Sequence, residues 1–354
     1  FFGVTGNNYP NDDLRNISSA GLRDGYGGGA ANTLVSFFGR VDYAYKGKYL
    51  LDVNMRADAS SRFGANNRWG YFPSVGAAWR LSDEEFVKKL NVFSNLKLRA
   101  SWGLTGSQET ISEYAAQGLW TGGANYQLEP GTVPSQLANP DLRWEQTRQW
   151  NLGLDVGLWQ NRLGLEFNVY DKFTSGVLIN KPVPMSTGFS TIAYNGGDMR
   201  NRGVELALNA GLLRGKDLTW DVSFNISRNV NKIVRLDADY LEPFSRRFII
   251  FRQGYPVNGF WLWNQTGVNP ETGDAVYQDV DGNGRINDDD RLILGTNQPD
   301  FYGGLNSTLR YKGFDLNAFF NFEVGQEVVN WSTFFMVHGG SRRNNANGTA
   351  TWGF

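Results

Sequence analysis

The sequence predicts an all-β fold: an antiparallel transmembrane β-barrel that is partial, with about a dozen strands. Three observations lead to this prediction. Apolar and polar residues alternate with a period of two over long runs, short turns and long loops join the runs alternately, and no apolar run reaches about 18 residues. Strands of about 9–11 residues cross a bilayer, whereas globular strands usually have about five or six. The long runs therefore favour a membrane barrel over a soluble sandwich or propeller.

The first hairpin, residues 33–61, shows the alternation clearly. Each arm has one apolar and one polar face, and the turn Lys46-Gly47-Lys48 supplies the glycine that a short connection needs. The apolar positions are Val35, Phe37, Val41, Tyr43, Tyr45, Tyr49, Leu51, Val53, Met55 and Ala57. One face of this hairpin thus suits lipid and the other suits a water-filled lumen.

Further elements follow from the same period. Residues 1–32 predict a loop, and a strand through residues 71–79 leads into a short helix, 83–90, that Ser82 caps. More strands are predicted at 96–104, 150–158, 163–173, 204–212, 218–226, 305–311 and 314–322. Apolar faces of these strands, including Leu98, Leu154, Leu165, Leu206, Val222 and Phe320, are expected to point outward to lipid.

The turns and loops orient the strands. Bacterial outer-membrane barrels have short periplasmic turns and long extracellular loops. Counting from residues 46–48 places 109–143, 175–200 and the region after 231 outside, with 159–162 and 213–216 in the periplasm. An even number of crossings must lie between the strands ending near residue 230 and starting near 301. Two are predicted, meeting at Gly254-Tyr255-Pro256, which leaves 266–299 as an outer loop.

Composition excludes several classes of protein. The 34 basic and 35 acidic residues give a net charge of −1, which argues against binding nucleic acid. Cysteine is absent, so the chain has no disulfide, thiolate metal site or cysteine nucleophile. The single histidine, His338, precedes two glycines and is not placed as a general base. No catalytic residue is assigned, and the protein is predicted not to be an enzyme.

One stretch, residues 279–290, has the spacing of a calcium-binding loop. Its sequence DVDGNGRINDDD places Asp279, Asp281 and Asn283 at ligand positions, followed by the backbone carbonyl of Arg285 and by Asp290. Aspartate replaces the usual glutamate at the last position, which predicts weaker binding. A surface turn that binds no metal is an equally weighted alternative. The prediction is a structural Ca²⁺ in an extracellular loop.

Substrate-binding residues are not assigned. Charged side chains of the predicted lumen, such as Arg40, Asp52, Arg56 and Arg99, suit a glycan, a peptide or water equally. Four aromatic residues of the outer loops, Tyr114, Trp120, Tyr126 and Trp144, have the rings to stack on a sugar, although loop packing or a place in the interfacial aromatic belt is the favoured role of each.

Several segments, in order, resemble the SusC/RagA family of TonB-dependent outer-membrane transporters of Bacteroidota. They are RADASSRFGANNRWGYFPSVGAAWRLSDEEF, NLKLRASWGLTGSQETISEY, NPDLRWEQTRQWNLGLD, GYPVNGFWLW and DVDGNGRINDDDRLILGTNQPDFYGG. The resemblance implies the C-terminal part of a barrel of about 22 strands that imports oligosaccharides or peptides across the outer membrane of a Gram-negative bacterium. It also implies a SusD-like lipoprotein partner and energy from TonB.

The sequence opens at Phe1 without an initiator methionine or a signal peptide, which indicates a piece of a longer protein. Residues 1–354 are accordingly expected to form one partial barrel without the plug domain and the last strands. Two alternatives share the strand pattern: a passive outer-membrane porin and a soluble glycan-binding β-protein.

Overall fold

The computed structural model describes residues 2–7, 22–27, 29–122, 124, 126, 129, 131–237, 239–241 and 248–330. Its main feature is one antiparallel sheet of ten strands. The strands are β1 (Leu34–Tyr45), β2 (Tyr49–Ser60), β3 (Trp69–Arg80), β4 (Phe93–Ser107), β5 (Glu145–Leu158), β6 (Leu163–Pro182), β7 (Thr191–Arg214), β8 (Leu218–Leu236), β9 (Phe301–Tyr311) and β10 (Phe314–Val324). The all-β prediction is confirmed.

Each strand of this sheet pairs with its neighbour in the chain, from β1 to β10. β8 pairs directly with β9, with Ser227 opposite Tyr302 and Leu218 opposite Tyr311. The predicted pair of crossings around Gly254-Tyr255-Pro256 is therefore wrong. The orientation of the strands requires an even number of crossings between β8 and β9, and that number is zero. The segment 237–300 leaves and rejoins the sheet at the same end.

The connections alternate between two ends of the sheet. At one end, the turn end, the connections are residues 46–48, 81–92, 159–162, 215–217 and 312–313. At the other, the loop end, they are residues 61–68, 108–144, 183–190 and 237–300. The turns of two to four residues thus lie at one end and the two longest loops at the other, as the sequence predicted, whereas the connection 81–92 at the turn end is longer than 61–68 and 183–190.

The loops contain further strands of their own. Within 237–300 these are Tyr240–Leu241, Ile249–Phe251, Gly259–Trp263 and Arg291–Thr296 in one small sheet, and Gln265–Val268 with Ala275–Tyr277 in another. Leu119–Gly122 pairs with Thr132–Gln136, and Phe2–Asn7 pairs with Leu22–Gly27, so the predicted irregular loop at 1–32 contains a hairpin. In the part of the chain that the structure describes, the 3-10 helices are Leu81–Asp83, Met185–Thr187 and Asp288–Asp290.

Several strands are longer than predicted, and two of them, β6 and β7, extend through a predicted outer loop. β6 continues to Pro182 and β7 starts at Thr191, so most of the predicted outer loop 175–200 is regular strand. The two strands pair throughout, apart from a bulge near Gly176, which has a φ of +65°. Because strands of 20 and 24 residues exceed what a bilayer crossing needs, this hairpin extends well past the hydrocarbon layer at the loop end.

The helix predicted at 83–90 is shorter, at Glu85–Lys88, and Ser82 does not cap it. Residues Leu81–Asp83 form a 3-10 turn first, and Glu84 becomes the N-cap without a side-chain cap. The Glu84 carboxylate instead accepts hydrogen bonds from Lys48 Nζ at 2.9 Å, Tyr49 Oη at 2.7 Å and Trp79 Nε1 at 3.1 Å. These bonds, the one from Lys48 first, lower the pKa of Glu84 to about 2. Glu84 therefore ties the β3–β4 connection to the first hairpin.

The register sorts the sheet into one apolar and one polar face. Residues directly opposite each other in antiparallel strands share a face. Starting from Val53, the apolar partners run Val75, Trp102, Trp150 across β3 to β5, and from Leu154 they run Phe167, Leu206, Ile226 across β6 to β8. The apolar face is continuous, and its side chains, such as Val41 and Phe320, stay largely exposed.

The principal buried cluster lies at the loop end. Phe63, Leu142 and Trp144 come from the loops and pack against Phe72 of β3 and Leu178 of β6. Trp144 is central, with ring centroids 4.6 Å from Phe63 and 5.5 Å from Phe72, and its Nε1 donates to the Arg68 carbonyl at 2.9 Å. Arg62 fixes the neighbouring loop by donating to the Gln108 and Ile111 carbonyls and to Glu113. A compact cap thus covers one end of the sheet.

No helix in the described part of the chain has the length and apolar character that a membrane crossing requires.

Candidate functional site

The polar face of the sheet carries arginines that are paired with carboxylates. On β1, Arg40 Nε donates to Asp42 at 2.9 Å, and on β2, Arg56 Nε donates to Asp58 at 2.7 Å. Each pair is two residues apart, which places both side chains on one face of the strand. The local charge of this face is therefore neutralised within each strand.

At the centre of the polar face Arg99 forms a two-pronged ion pair. Its Nη2 and Nε donate to the Asp155 carboxylate at 2.6 and 2.9 Å, and Nη2 also donates to Asn168 Oδ1 at 3.1 Å. Gly153 makes this arrangement possible, because a Cβ there would lie 2.8 Å from the Arg99 Cζ atom. The guanidinium thus lies against the backbone and does not project from the face.

A pocket of about 390 Å³ lies on the polar face near the loop end. Amide and aromatic side chains form most of it: Tyr170, Lys172, Asn201, Asn229, Gln298 and Tyr302. Tyr170 Oη donates to Asn229 Oδ1 at 3.1 Å, and Asn201 Oδ1 accepts from the Asn229 and Asn231 amides at 3.3 and 2.9 Å. These neutral groups are fixed by one another and can offer hydrogen bonds to a polar ligand. We call this the amide pocket.

The apolar face carries aromatic rings at two levels. At the turn end, Tyr49 lies between Tyr45 and Trp79, with ring centroids 6.2 and 6.0 Å apart. Toward the loop end, Trp102 lies directly opposite Trp150. Aliphatic residues fill the band between the two levels, which is the pattern of a lipid-facing surface bounded by two interfacial aromatic belts.

The loop at 279–290 brings three of its predicted ligands together. Carboxylate oxygens of Asp279, Asp281 and Asp290 lie within 4.8 Å of one another, and Asp290 is fully buried. Opposite oxygens around a calcium ion are separated by about 4.6–5.2 Å, so this spacing fits the ion. Gly284 adopts a φ of +76°, as the sharp turn of such a loop requires.

Backbone amides hold the three carboxylates in place. Asp279 accepts from the amides of Gly284 and Gly282 at 2.8 Å each, and the bond from Gly284 contributes most to lowering the pKa of Asp279 below its usual range. Asp290 accepts from the Val280 amide at 2.8 Å.

The remaining predicted ligand positions lie beside the three carboxylates. The Asn283 side chain donates to Asp281 at 2.7 Å and accepts from the Arg285 amide at 2.8 Å. These oxygen donors are of the type that Ca²⁺ prefers.

The four loop aromatics divide into two pairs. Trp144 belongs to the buried cluster, which confirms loop packing, and the Tyr114 hydroxyl accepts from the Ala31 amide at 2.9 Å. Trp120 and Tyr126 are exposed. Sequence reasoning did not identify the amide pocket, because Asn201 and Gln298 are nearly a hundred residues apart and carry no motif.

Comparison with known proteins covers the entire chain. Residues 1–354 match the family described as TonB dependent receptor-like, beta-barrel. TonB-dependent receptor P3 of Formosa agariphila is 36% identical over 347 residues, which cover 90% of this chain and 34% of that receptor. TonB-dependent receptor SusC of Bacteroides thetaiotaomicron is 35% identical over 334 residues, which cover 88% of this chain and 33% of SusC.

A solved structure gives the same fold. The RagAB peptide transporter superposes with a TM-score of 0.83 and 32% identity, over 94% of this chain and 38% of that chain. The chain spans about a third of the length of the curated relatives it matches.

Proposed function

The chain belongs to the TonB-dependent receptor β-barrel family, and from this premise we propose that the protein imports an oligosaccharide or a peptide across the outer membrane. The family consists of outer-membrane proteins of Gram-negative bacteria, so the apolar face of the ten-stranded wall faces lipid and the polar face lines the lumen. We further propose that import uses energy from TonB, requires a SusD-like lipoprotein at the loop end, and involves no catalysed reaction.

The observation that carries this proposal is the continuous antiparallel pairing of ten strands, which keeps one apolar face across the wall despite local bulges. A single lipid face of this width, backed by a polar face, suits a wide barrel around a water-filled lumen. The lumen charges are paired as Arg40 with Asp42, Arg56 with Asp58 and Arg99 with Asp155. Because these three arginines are each paired with a carboxylate, this part of the wall favours neutral polar solutes over ions of one sign.

Uptake by cells tests the proposal. Bacteria with the intact receptor gene, without that gene, and without TonB are given labelled pools of oligosaccharides and of peptides. We expect uptake of one pool to be lost in both deletion strains, because a wide lumen must be closed at rest and opened by work. Equal uptake without TonB would favour a passive pore, and equal uptake without the receptor gene would reject transport by this protein.

The amide pocket supplies a variant for the same assay. Removing the Asn229 side chain by Asn229→Ala eliminates hydrogen bonds worth about 1 kcal/mol, which corresponds to roughly a fivefold loss of uptake at limiting substrate. Asn225→Ala lies on the same face of β8, outside the pocket, and is expected to leave uptake unchanged. Equal uptake by the two variants would exclude the pocket from the import path.

We also propose that the loop at 279–290 binds one structural Ca²⁺ through Asp279, Asp281, Asn283, the Arg285 carbonyl and Asp290. Convergence of three carboxylates supports this proposal, since a cation would offset their mutual repulsion. The ion would stiffen segment 237–300, and it has no part in the transport step itself. Affinity is expected in the range of extracellular modules, with a dissociation constant of about 10⁻⁴–10⁻³ M.

The calcium proposal is tested by limited proteolysis of the intact receptor with millimolar Ca²⁺ or with a chelator. We expect Ca²⁺ to slow cleavage within 264–300 in the parent protein, and Asp279→Asn to abolish the difference. Asp274→Asn removes an exposed carboxylate of the same segment that lies outside the cluster, and it should preserve the calcium effect. Cleavage that is equally fast with and without Ca²⁺ in the parent protein would reject the site.

A further inference from the structure

A cluster of basic side chains lies on the lipid face of the wall, at its border toward the loop end. In β6, Val169 is followed on that face by Asp171 and Phe173. Three rows of opposed residues cross the neighbouring strands. Asp171 lies opposite Arg202, which lies opposite Val230, and Phe173 lies opposite both Arg148 and Arg200, with Arg200 opposite Lys232. In the third row Val204 lies opposite Arg228. We call Arg148, Arg200, Arg202, Arg228, Lys232 and Asp171 the outer-face basic cluster.

On each of four adjacent strands the cluster begins between eight and twelve residues from the turn end. Asp171 follows the turn end by eight residues of β6, and Arg228 by ten residues of β8. At about 3.4 Å per residue and a tilt of about 40°, these positions are about 21–26 Å above the turns. The apolar band of an outer-membrane barrel is about 25 Å tall. Trp150 lies directly opposite Asp171, at the level where interfacial tryptophans are found.

The cluster has more cations than its own carboxylate can balance. Arg200 and Arg202 both donate from Nε to Asp171, at 2.9 and 2.7 Å, and Asp171 is only 5% exposed. Arg202 remains 59% exposed beyond that contact. Arg148 is placed over the Phe173 ring, and neither Arg228 nor Lys232 forms an ion pair within the described residues. This differs from the lumen face, where Arg40 and Arg56 are each paired with a carboxylate of the same strand and Arg99 shares Asp155 with Lys97.

An apolar groove of about 590 Å³ lies between Arg202 and Arg228 and extends below Asp171. Trp150, Val169, Val204 and Val230 line it, and Arg202 and Arg228 stand at its border. Val204 lies between Arg202 and Arg228 on the register, so the two guanidinium groups are diagonal neighbours on one face. The surface is therefore apolar on the membrane side and doubly cationic on the side of the headgroups.

We propose that the outer-face basic cluster binds the phosphorylated headgroup of a glycolipid of the outer leaflet, with an acyl chain of that lipid in the apolar groove. Charge complementarity and position support this occupant. Arginine forks match phosphate oxygens in pairs, and cations at the border of a hydrocarbon layer are stabilised by lipid phosphates at the same height. All four strands have neighbours on both sides in the wall, so this surface is complete within the described chain.

The test measures lipid binding by the intact receptor. The protein is purified in a non-ionic detergent, stripped of lipid and titrated with monophosphoryl lipid A, and the bound lipid is counted by native mass spectrometry. Replacing both arginines of the groove, Arg202→Gln with Arg228→Gln, is expected to weaken binding at least about tenfold. The matched control is Arg214→Gln, on the same strand as Arg202 at the turn end, which should change binding less than about twofold.

Dephosphorylated lipid A distinguishes the headgroup from the acyl chain. It should bind the parent protein and the double variant with the same weak affinity. Should the double variant fail to fold, as judged by heat-modifiable gel mobility, Arg228→Gln alone serves, since its side chain forms no ion pair in the described part of the chain.

Three results would overturn the proposal. Unchanged lipid A affinity in the double variant would exclude the two arginines from the site. Complete displacement of the lipid by millimolar inorganic phosphate would indicate a site for the free anion. A stable pair of receptors, broken by the substitutions without loss of lipid, would show that a second barrel covers this surface.

Discussion

Replacing Val222 by arginine is expected to lower the free energy of unfolding of the intact receptor in a bilayer by about 2–4 kcal/mol. Val222 lies on the lipid face of β8, opposite Ala210 of β7. It is four residues from the start of the strand, which is about 14 Å of strand and about 10 Å of height, near the middle of the apolar band. The cost arises because the arginine side chain must either lose its hydration or distort the bilayer until the side chain reaches water.

The next residue provides the control. Ser223 is on the lumen face, opposite Asn209, and Ser223→Arg should cost much less because its side chain stays in water. Both variants are compared by urea unfolding in lipid vesicles, followed by tryptophan fluorescence. Equal destabilisation by the two substitutions, or a larger effect at Ser223, would mean that the two faces have been assigned the wrong way round.

Replacing Leu142 by alanine is expected to destabilise the cap at the loop end by about 2–5 kcal/mol. Leu142 is fully buried among the Phe63 and Trp144 rings, so truncation leaves a cavity in addition to the lost burial. The Leu142 carbonyl also accepts from the Gly64 amide at 3.0 Å, which links its position to the neighbouring loop.

The substitution is expected to destabilise the cap without unfolding the barrel wall. Amide hydrogen exchange measures this local opening free energy. Amides of 61–68 and 108–144 should exchange at least about 30-fold faster in Leu142→Ala, because 2 kcal/mol of local opening free energy corresponds to that factor. Leu90→Ala makes the same chemical change at an exposed position of the turn end, and exchange of the cap should not respond. Protection of the cap that is unchanged in Leu142→Ala would show that the buried cluster does not hold the loops together.

The strands of the wall could be predicted because the pattern that specifies each strand lies within its own sequence. A surface with lipid on one side and water on the other imposes a period of two, and hairpins of ten or more residues repeat it many times. The prediction gave both arms of the first hairpin within a residue of Leu34–Tyr45 and Tyr49–Ser60. It also placed Val35, Leu98, Val222 and Phe320 on what the register shows to be one face.

Segment 237–300 could not be predicted in the same way. Apolar runs such as Ile249–Phe251 and Gly259–Trp263 have strand composition, and parity of crossings allows two as well as none. The number of crossings depends on a pairing between residues that are far apart in the sequence. β8 pairs with β9, with Ser227 opposite Tyr302. Likewise Ser82 matches a capping pattern, but Glu84 is held by Lys48 from another hairpin, which no local rule contains.

The outer-face basic cluster was not predicted from the sequence, for a different reason. The sequence predicts a loop over 175–200, which includes Arg200. The alternation that places Arg200 on the same face as Arg202, Val204 and Leu206 is therefore not recognised as part of a strand. A signal was nevertheless present in the sequence. Charged residues occupy positions of the apolar alternation in nearby strands at similar distances from the short turns, as Asp171 of β6 and Arg228 of β8 do.

Direct pairing of β8 with β9 separates the wall from the structure that covers it. The chain departs after Leu236 and re-enters at Phe301, on neighbouring strands, so both ends of the intervening segment are already fixed by the sheet. Such an insertion can be lengthened, exchanged between relatives or replaced by a short turn without shifting the register of any strand. The register of the barrel wall therefore does not depend on the length of segment 237–300.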